Sequence, residues 1–338
     1  LISRNQERTI GPLVESVRRE ADEVALQELI LVDSASSDRT VEIALGHGVA
    51  VLVLPQADWL CASAGRFAGF AATTGEHVLF LDGDMELLPG WLELARRALD
   101  SDPRLAAVSG LVTDGERGTP RPPTDPLGQG PVDGVAAWTL PHPAGAALYR
   151  RTALLAAGGF NPYLRSDEEP ELALRLRARG FRIVAIDRPA FVHHEPVAGG
   201  GLAALLARRR RGLFVGHGQV MRALLGRPGF RLLVAERGYA LAPLGAGAAG
   251  VIALLASAAS RRRRWLGGWL AAIVAVLGAD AVRRRSPRAT ALAALNRLLF
   301  AEGLIRGITV PVGDPADHPA AAAGVWIRPP GLDPERRS

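Results

Sequence analysis

The first candidates for chemistry in this sequence are carboxylates. Phe80-Leu81-Asp82-Gly83-Asp84 closes an apolar run with two acids separated by one glycine. If the chain stays extended there, period-two geometry puts Asp82 and Asp84 on one side, and Gly83 lets a ligand approach the backbone. Such a pair suits a hard cation, Mg2+ or Mn2+, bridging to a diphosphate. The plainer alternative is that the two acids only begin a turn before a helix at Trp91. A second cluster is Asp167-Glu168-Glu169-Pro170-Glu171, followed by Leu172, Leu174 and Leu176. Pro170 suits a first helical turn and acids suit a helix N-terminus, so capping alone accounts for the composition. The chemical reading sets one of these carboxylates at a cleft mouth as a general base. Asp33, at the end of the run ELILVD, is the third candidate.

Acids at strand ends act together only if a sheet gathers them. In an open α/β sheet, ligands bind beyond the carboxyl ends of the strands. Apolar runs at residues 28–33, 49–54, 77–82 and 105–110 have the length and composition of strands buried on both faces. Helical stretches at 10–19, 40–45, 63–73 and 91–99 alternate with them. That alternation predicts a doubly wound, mostly parallel α/β sheet with right-handed crossovers. Residues 114–134, rich in Gly, Pro, Asp and Thr, read as a long loop of the kind that forms lids and binding loops. Structure is expected to resume at 144–149, with helices at 152–157 and 169–179 and a strand at 181–186. The chain opens on Leu1-Ile2-Ser3-Arg4-Asn5, which reads as the end of a buried strand, and a few residues are expected before it.

Beyond Gly199-Gly200-Gly201 the character changes. Residues 202–225 read as one or two amphipathic surface helices. Residues 239–260 carry no charge and are long enough to span a bilayer, whereas the uncharged run at 265–279 is too short to span alone. Residues 289–310 are amphipathic again, and those from 311 read as a loose tail. All 40 basic residues are Arg, and the formal charge of +6 is concentrated after residue 200 in the runs at 208–211, 261–264 and 283–285. Each run abuts an apolar segment and none is interleaved with aromatics, so the anionic partner is membrane lipid and not nucleic acid. Cys61 is the only cysteine, which excludes an intrachain disulfide and a zinc knuckle.

Four stretches stand in a telling order. They are Arg4-Asn5-Gln6-Glu7-Arg8-Thr9-Ile10; Val32-Asp33-Ser34-Ala35-Ser36-Ser37-Asp38-Arg39-Thr40; Phe80-Leu81-Asp82-Gly83-Asp84 with Leu88-Pro89-Gly90-Trp91-Leu92; and Gly158-Gly159-Phe160 with Glu168-Glu169-Pro170-Glu171-Leu172 and Arg175-Leu176. Their order and spacing resemble glycosyltransferase family 2, with its V-D-D-G-S-x-D-G-T segment, D-x-D strand end and G-G-F…E-D-x-x-L-x-x-R-L block, over residues 1–195. The resemblance implies a GT-A fold and a nucleotide-sugar donor. It implies that Asp33 and Ser34 meet the nucleoside, that Arg66 lies near the diphosphate and that Asp82 faces the ribose and the metal. Asp84 would be the main metal ligand, with His194 or His193 as a further one. Glu169 would be the general base, with Glu168 and then Asp167 next in line. Ser34, Phe67 and Glu169 depart from the family's usual Asp, Asn and Asp.

The domain organisation expected is a GT-A catalytic domain over 1–200, interfacial helices over 201–235, membrane-associated helices over 236–310 and a flexible tail over 311–338. The function expected is inverting transfer of a sugar to an acceptor hydroxyl, on a glycan or lipid-linked molecule, with Mg2+ or Mn2+ as cofactor. The catalytic domain would be cytoplasmic, on a bacterial inner membrane. The alternatives are a nucleotidyltransferase-like enzyme, which lacks its Gly-rich basic loop here, and a non-catalytic membrane scaffold.

Overall fold

The computed structural model describes residues 1–21, 24–115, 118–143, 145–194 and 201–329. The chain divides into two units, Leu1–Val197 with Val312–Ser338, and Ala198–Pro311.

In the first unit, strand β1 (Ile2–Ser3) leads into helix α1 (Ile10–Glu20), whose Ile10, Leu13, Val14 and Val17 recur at helical spacing and are buried. Strand β2 (Ile30–Asp33), helix α2 (Thr40–Gly46) and strand β3 (Ala50–Val53) follow. Helix α3 (Ala62–Ala71) has a face of small residues, which lets it lie close on the sheet. A Cβ on Gly69 would come 3.3 Å from Val32, and one on Gly65 3.4 Å from Ile2. Strand β4 (His77–Phe80) and the short β5 (Met85–Leu87) flank the Asp82-Gly83-Asp84 segment, before helix α4 (Trp91–Ser101) and the ten-residue β6 (Leu105–Asp114).

The region expected as a long loop contains a hairpin. Strands β7 (Gly128–Val132) and β8 (Val135–Thr139) pair through a two-residue turn, Asp133-Gly134, with φ of 47° and 76°. Positive φ at both positions is the turn geometry that Asp-Gly favours. Strand β9 (Ala147–Arg150), helices α5 (Arg151–Ala157) and α6 (Glu168–Arg177) and the long β10 (Arg182–His193) complete this stretch.

Strands β1, β2 and β3 are parallel neighbours. Ile2 forms a parallel bridge to Asp82, and its N–H donates to Leu81 O at 3.0 Å, so β1 lies beside the chain leaving β4. The sheet then continues β4-β9-β6-β10-β8-β7, with β5 on β10. Within that second half only β6 and β10 are parallel among the paired strands; the others run antiparallel. The parallel alternation expected from the sequence therefore describes β1 to β4, and the later half is mixed. The order reverses between β1 and β4, and a crevice opens beyond the strand ends at such a reversal.

The second unit is helical: α7 (Leu202–Arg210), α8 (Gly216–Leu224), α9 (Gly229–Arg237), α10 (Ala242–Ser260), α11 (Arg264–Arg284) and α12 (Pro287–Thr309). Helix α11 is longer than its uncharged core because Asp280 accepts from Arg283 at 2.9 Å and Arg284 at 2.6 Å, so the charges extend the helix instead of ending it. The expectation of a loose tail after residue 311 is corrected over the described residues. Strand β11 (Val325–Ile327) pairs antiparallel with β3, and His318 is buried edge-on to Trp59 and Tyr163 at ring separations of 5.2 and 4.7 Å. Gly199 and Gly200, taken as the boundary, and residues 330–338 of the tail lie outside the described residues.

Candidate active site

The ends of β1 and β2 carry two loops that hold each other. Asn5, at φ 55°, donates its N–H to Ser36 Oγ at 2.8 Å, and its Oδ1 accepts from Ser37 N–H at 2.8 Å. Asp33 is fully buried at the end of β2, where its carboxylate accepts from Ser36 N–H at 2.8 Å and Ser36 Oγ at 2.5 Å. Ser34 is half-buried beside it and donates its N–H to Ser3 O at 2.9 Å. Ala35 sits at φ 55°, a left-handed conformation that explains why the segment it resembles places glycine there. Asp33 thus reaches the strand end as expected, with both oxygens engaged by its own loop.

The Asp82-Gly83-Asp84 segment is not extended. Met85 N–H donates to Asp82 O at 3.0 Å, closing a turn, and Thr9 Oγ1 donates to Gly83 O at 2.6 Å. A Cβ on Gly83 would lie 2.7 Å from Ser3 Cβ, so the close fit of β1 against the turn demands glycine. The turn sends the two acids to different partners, against the expectation that both lie on one side of a strand.

Asp82 goes to Arg66. Helix α3 aims this side chain into the centre of the site, where one guanidinium collects three carboxylates: Asp82 at 2.8 Å, Glu168 at 2.7 Å and Glu169 at 2.9 Å. It also donates to Gly145 O at 3.3 Å. Arg66 is 2% exposed, and its charge is offset by these acids. Beneath it, Phe160 lies 5.8 Å from the guanidinium carbon and stacks edge-on with Phe80 and Tyr149. This apolar floor sets the electrostatics. Burial, then the neighbouring Glu169 charge, pushes the Glu168 carboxyl far above the usual range even against Arg66. Burial raises Asp82 as well, again against the pull of Arg66.

Helix α6 delivers the two glutamates. Its N-cap residue Asp167 adopts φ 62° and makes no side-chain cap bond, and Glu168, Glu169 and Glu171 fall in the first turn. Glu171, fully buried, pairs with Arg175 at 2.6 Å, and Arg175 also donates to Gly159 O at 2.7 Å. That pair ties α6 to the Gly158-Gly159 turn, where φ values of 83° and 68° let the chain present Phe160. The Glu171–Arg175 spacing of four residues was visible in the sequence; its target was not.

Asp84 goes to His193, whose Nε2 lies 3.1 Å from its carboxylate. That hydrogen bond raises the His193 pKa. His194, the favoured ligand from the sequence, has its imidazole 3.4 Å from Glu86 and meets Asp84 only through its backbone N–H, at 2.8 Å from Asp84 O. Successive residues of a strand face opposite ways, so at the end of β10 only one of the two histidines can meet this carboxylate. No group of three or more metal-binding side chains occurs among the described residues. Asp84 and His193 are an oxygen and a nitrogen donor of the kinds that Mg2+ and Mn2+ accept, and they lie close enough together to serve one ion. An apolar cavity of about 330 Å3 runs along β4, with Ile30, His77, Leu79 and Leu81 in its lining; Asp82, Asp84, Glu168 and Glu169 do not line it.

Two curated proteins match parts of the chain. A TPR repeat-containing protein of Synechococcus elongatus is 38% identical over 107 residues, covering 31% of this chain and 25% of that protein. The O-antigen biosynthesis protein RfbC of Myxococcus xanthus is 32% identical over 144 residues, 36% of this chain and 11% of that one. The chain thus spans a quarter or less of the length of these relatives. Among solved structures, the mannosyltransferase PcManGT from Pyrobaculum calidifontis, in complex with GDP-Man and Mn2+, superposes with a TM-score of 0.52 at 19% identity, over 91% of this chain and 86% of that one. S. aureus TarS 1–349 in complex with UDP-GlcNAc gives 0.50 at 16% identity, over 84% and 91%. At such identities these two establish the fold, which is of the GT-A type expected. Residues 1–169, from β1 to the second glutamate on Arg66, match the family described as Glycosyl transferase family 2, and this chain belongs to that family.

Proposed function

We propose that this chain transfers a sugar, with inversion, from a nucleoside-diphosphate sugar to an acceptor hydroxyl. The observation that carries the reading is the meeting of Asp82 with Glu168 and Glu169 on one buried guanidinium. It brings the strand-end acids and the helix-start acids into one site. Glu169, less buried than Glu168 at 15% against 8% side-chain exposure, is the base that takes the acceptor proton. Asp84 and His193 would hold Mg2+ or Mn2+, through the carboxylate and a neutral imidazole nitrogen. Such an ion supplies charge neutralisation for the departing diphosphate. Ser34, and the loop that Asp33 holds through Ser36, would meet the nucleoside. The reading is supported by the named ligands of the two superposed structures, a nucleotide sugar in each and Mn2+ in one.

The second unit supports membrane attachment. Helices α10 and α11, 19 and 21 residues long with mean hydropathy 1.7, are long and apolar enough to cross a bilayer. They expose Ile252 (66%) and Val274 (69%), and α11 has no buried residue. Exposed apolar surface on this scale calls for lipid. The acceptor would then be membrane-proximal, a lipid-linked or envelope glycan, and the active site would face the cytoplasm.

The test is release of nucleoside diphosphate by the full chain from UDP-, GDP- and dTDP-sugars, with and without Mn2+. One donor is expected to be turned over, in a metal-dependent way, and Asp84→Asn is expected to abolish it without loss of fold. Turnover unaffected by Asp84→Asn, or no donor bound at all, would remove the reading. Fractionation tests the second part: a chain that stays in the high-speed supernatant without detergent is not a membrane protein.

A further inference from the structure

We propose that the second unit is a two-pass membrane hairpin inserted within the first, so that both pieces of the first unit lie on one face of the bilayer. Only the turn at Arg261, Arg262 and Arg263 would reach the other face. This rests on the membrane reading above and fixes its topology.

The first argument is the path of the chain. It leaves the first unit after Val197 and re-enters it at Val312. The return is a built part of that unit. Val325, Trp326 and Ile327 pair with Val53, Leu52 and Val51 of β3. A Cβ on Gly324 would overlap Leu52, and His318 is 2% exposed among Trp59, Phe67 and Tyr163. A strand hydrogen-bonded to β3 occupies the same side of a bilayer as β3. The number of crossings between the two pieces is therefore even.

The second argument lies wholly within the helical unit. Helix α8 precedes the apolar helices and α12 follows them, yet the two touch at backbone level. A Cβ on Gly303 would overlap Phe214 O, one on Gly307 would overlap Val215 O, and one on Gly218 would overlap Leu304 O. Glycines four apart are what close helix approach uses. Two helices in such contact hold both ends of the intervening segment together.

That segment is itself a closed hairpin. Arg261, at φ 53°, ends α10, and Arg262 N–H donates to Ser257 O at 3.1 Å. Leu266 N–H donates to Ser257 Oγ at 3.0 Å, and Trp269 Nε1 to Ala246 O at 3.0 Å. A Cβ on Gly250 would lie 2.8 Å from the Trp269 ring. Helix α10, 19 residues at about 1.5 Å per residue, matches the roughly 30 Å of a hydrocarbon core, and α11 reaches that length over its 21 residues with its terminal arginines snorkelling to the two interfaces and Asp280 neutralised by Arg283 and Arg284. Charge agrees. Arg227, Arg231 and Arg237 flank the entry and Arg283, Arg284, Arg285 and Arg288 the exit, against four arginines, Arg261 to Arg264, in and beside the turn. The excess of positive charge stays on the side of the first unit, as the positive-inside tendency requires.

The test uses the full chain in sealed membrane vesicles, with Cys61→Ala as background and single cysteines at Glu15→Cys, Ala316→Cys and Arg262→Cys; Arg263→Cys replaces the last if it is not produced. The probe is a membrane-impermeant maleimide, applied before and after permeabilisation. Glu15→Cys and Ala316→Cys are expected to label from the same face. Arg262→Cys is expected to label from the opposite face, its signal rising at least about tenfold on permeabilisation when the other two are already labelled. Labelling of Ala316→Cys and Glu15→Cys from opposite faces overturns the proposal, as does labelling of Arg262→Cys from the face of Glu15→Cys. In either case a membrane-bound chain leaves the membrane reading standing. A chain found in the supernatant removes both, and does so before any labelling.

Discussion

Helices α6 and α11 invert the usual relation between polarity and burial. Five of the ten residues of α6 are charged, yet eight of the ten are buried. The 21 residues of α11 are strongly apolar, yet none is buried. In water, charged groups stay outside unless paired and apolar surface stays inside. Each helix therefore needs something beyond its own sequence. For α6 it is Arg66, reaching from another helix to offset Glu168 and Glu169, with Arg175 doing the same for Glu171. For α11 the complement, in the function proposed above, would be lipid. In the proposed function these two violations would correspond to a site that concentrates negative charge and a surface that meets lipid.

The sharpest way to break the first half of the comparison is Arg66→Leu. It leaves Asp82, Glu168 and Glu169 together over an aromatic floor without a cation. Removing one partner of a buried ion pair costs about 3–5 kcal/mol. At about 2–4 °C per kcal/mol for a domain of this size, the melting temperature of the detergent-solubilised chain should fall on the order of 10 °C. Arg66→Lys should recover part of it. An unchanged melting temperature would mean that the cluster is not held by Arg66. Glu169→Gln comes next. The amide keeps the contact with Arg66 but cannot accept a proton, so donor binding should persist while transfer falls about 100- to 10,000-fold. Full transfer in Glu169→Gln, with loss in Glu168→Gln, would move the base by one residue.

For the second half, Val274→Asp separates lipid from water. In a bilayer a central Asp costs roughly 2.5–3.5 kcal/mol of insertion, and the chain should lose membrane yield. On a water-exposed helix the same change is worth within about 0.5 kcal/mol and would improve solubility. An unaltered membrane fraction in Val274→Asp would break the contrast between α6 and α11.

Much of the first helix-strand alternation was legible because it depends on local pattern. Asp33 and Asp82 fall at strand ends, and Glu168 and Glu169 at a helix start, as their runs suggested. What escaped were properties that depend on partners far away in the chain. Arg66 is one residue of a small-residue helix until three segments converge on it. Which of His193 and His194 meets Asp84 follows from strand register, which a boundary error of one residue reverses. The β7–β8 hairpin lacked a signal because Gly128 to Pro131 are exposed and do not alternate; only the Asp133-Gly134 turn marked it. The three residues of β11 are all exposed, so no burial pattern announced a strand; the open edge of β3 creates it.

The smallest effect tests the cause of the charge cluster's behaviour. If burial and Glu169 outweigh Arg66, the Glu168 carboxyl is held up at about 8 in the folded chain, against about 4.3 when unfolded. The folded state then keeps a proton that the unfolded state has already released. Between those values stability must fall as pH rises, because the unfolded state binds fewer protons there. Below about pH 4 the carboxyl is neutral in both states and resembles an amide. Glu168→Gln, which never ionises, escapes the loss, and Asp82 contributes much the same slope to both chains. The difference in melting temperature, variant minus parent, should therefore be near zero at pH 4, reach a few degrees positive by about pH 6 and grow further towards pH 8. If instead the attraction of Arg66 dominates, the folded pKa lies below the unfolded one and the difference turns negative as pH rises through about 4. The sign of that slope decides whether α6 tolerates its buried charge through Arg66 alone or by keeping one of its acids protonated.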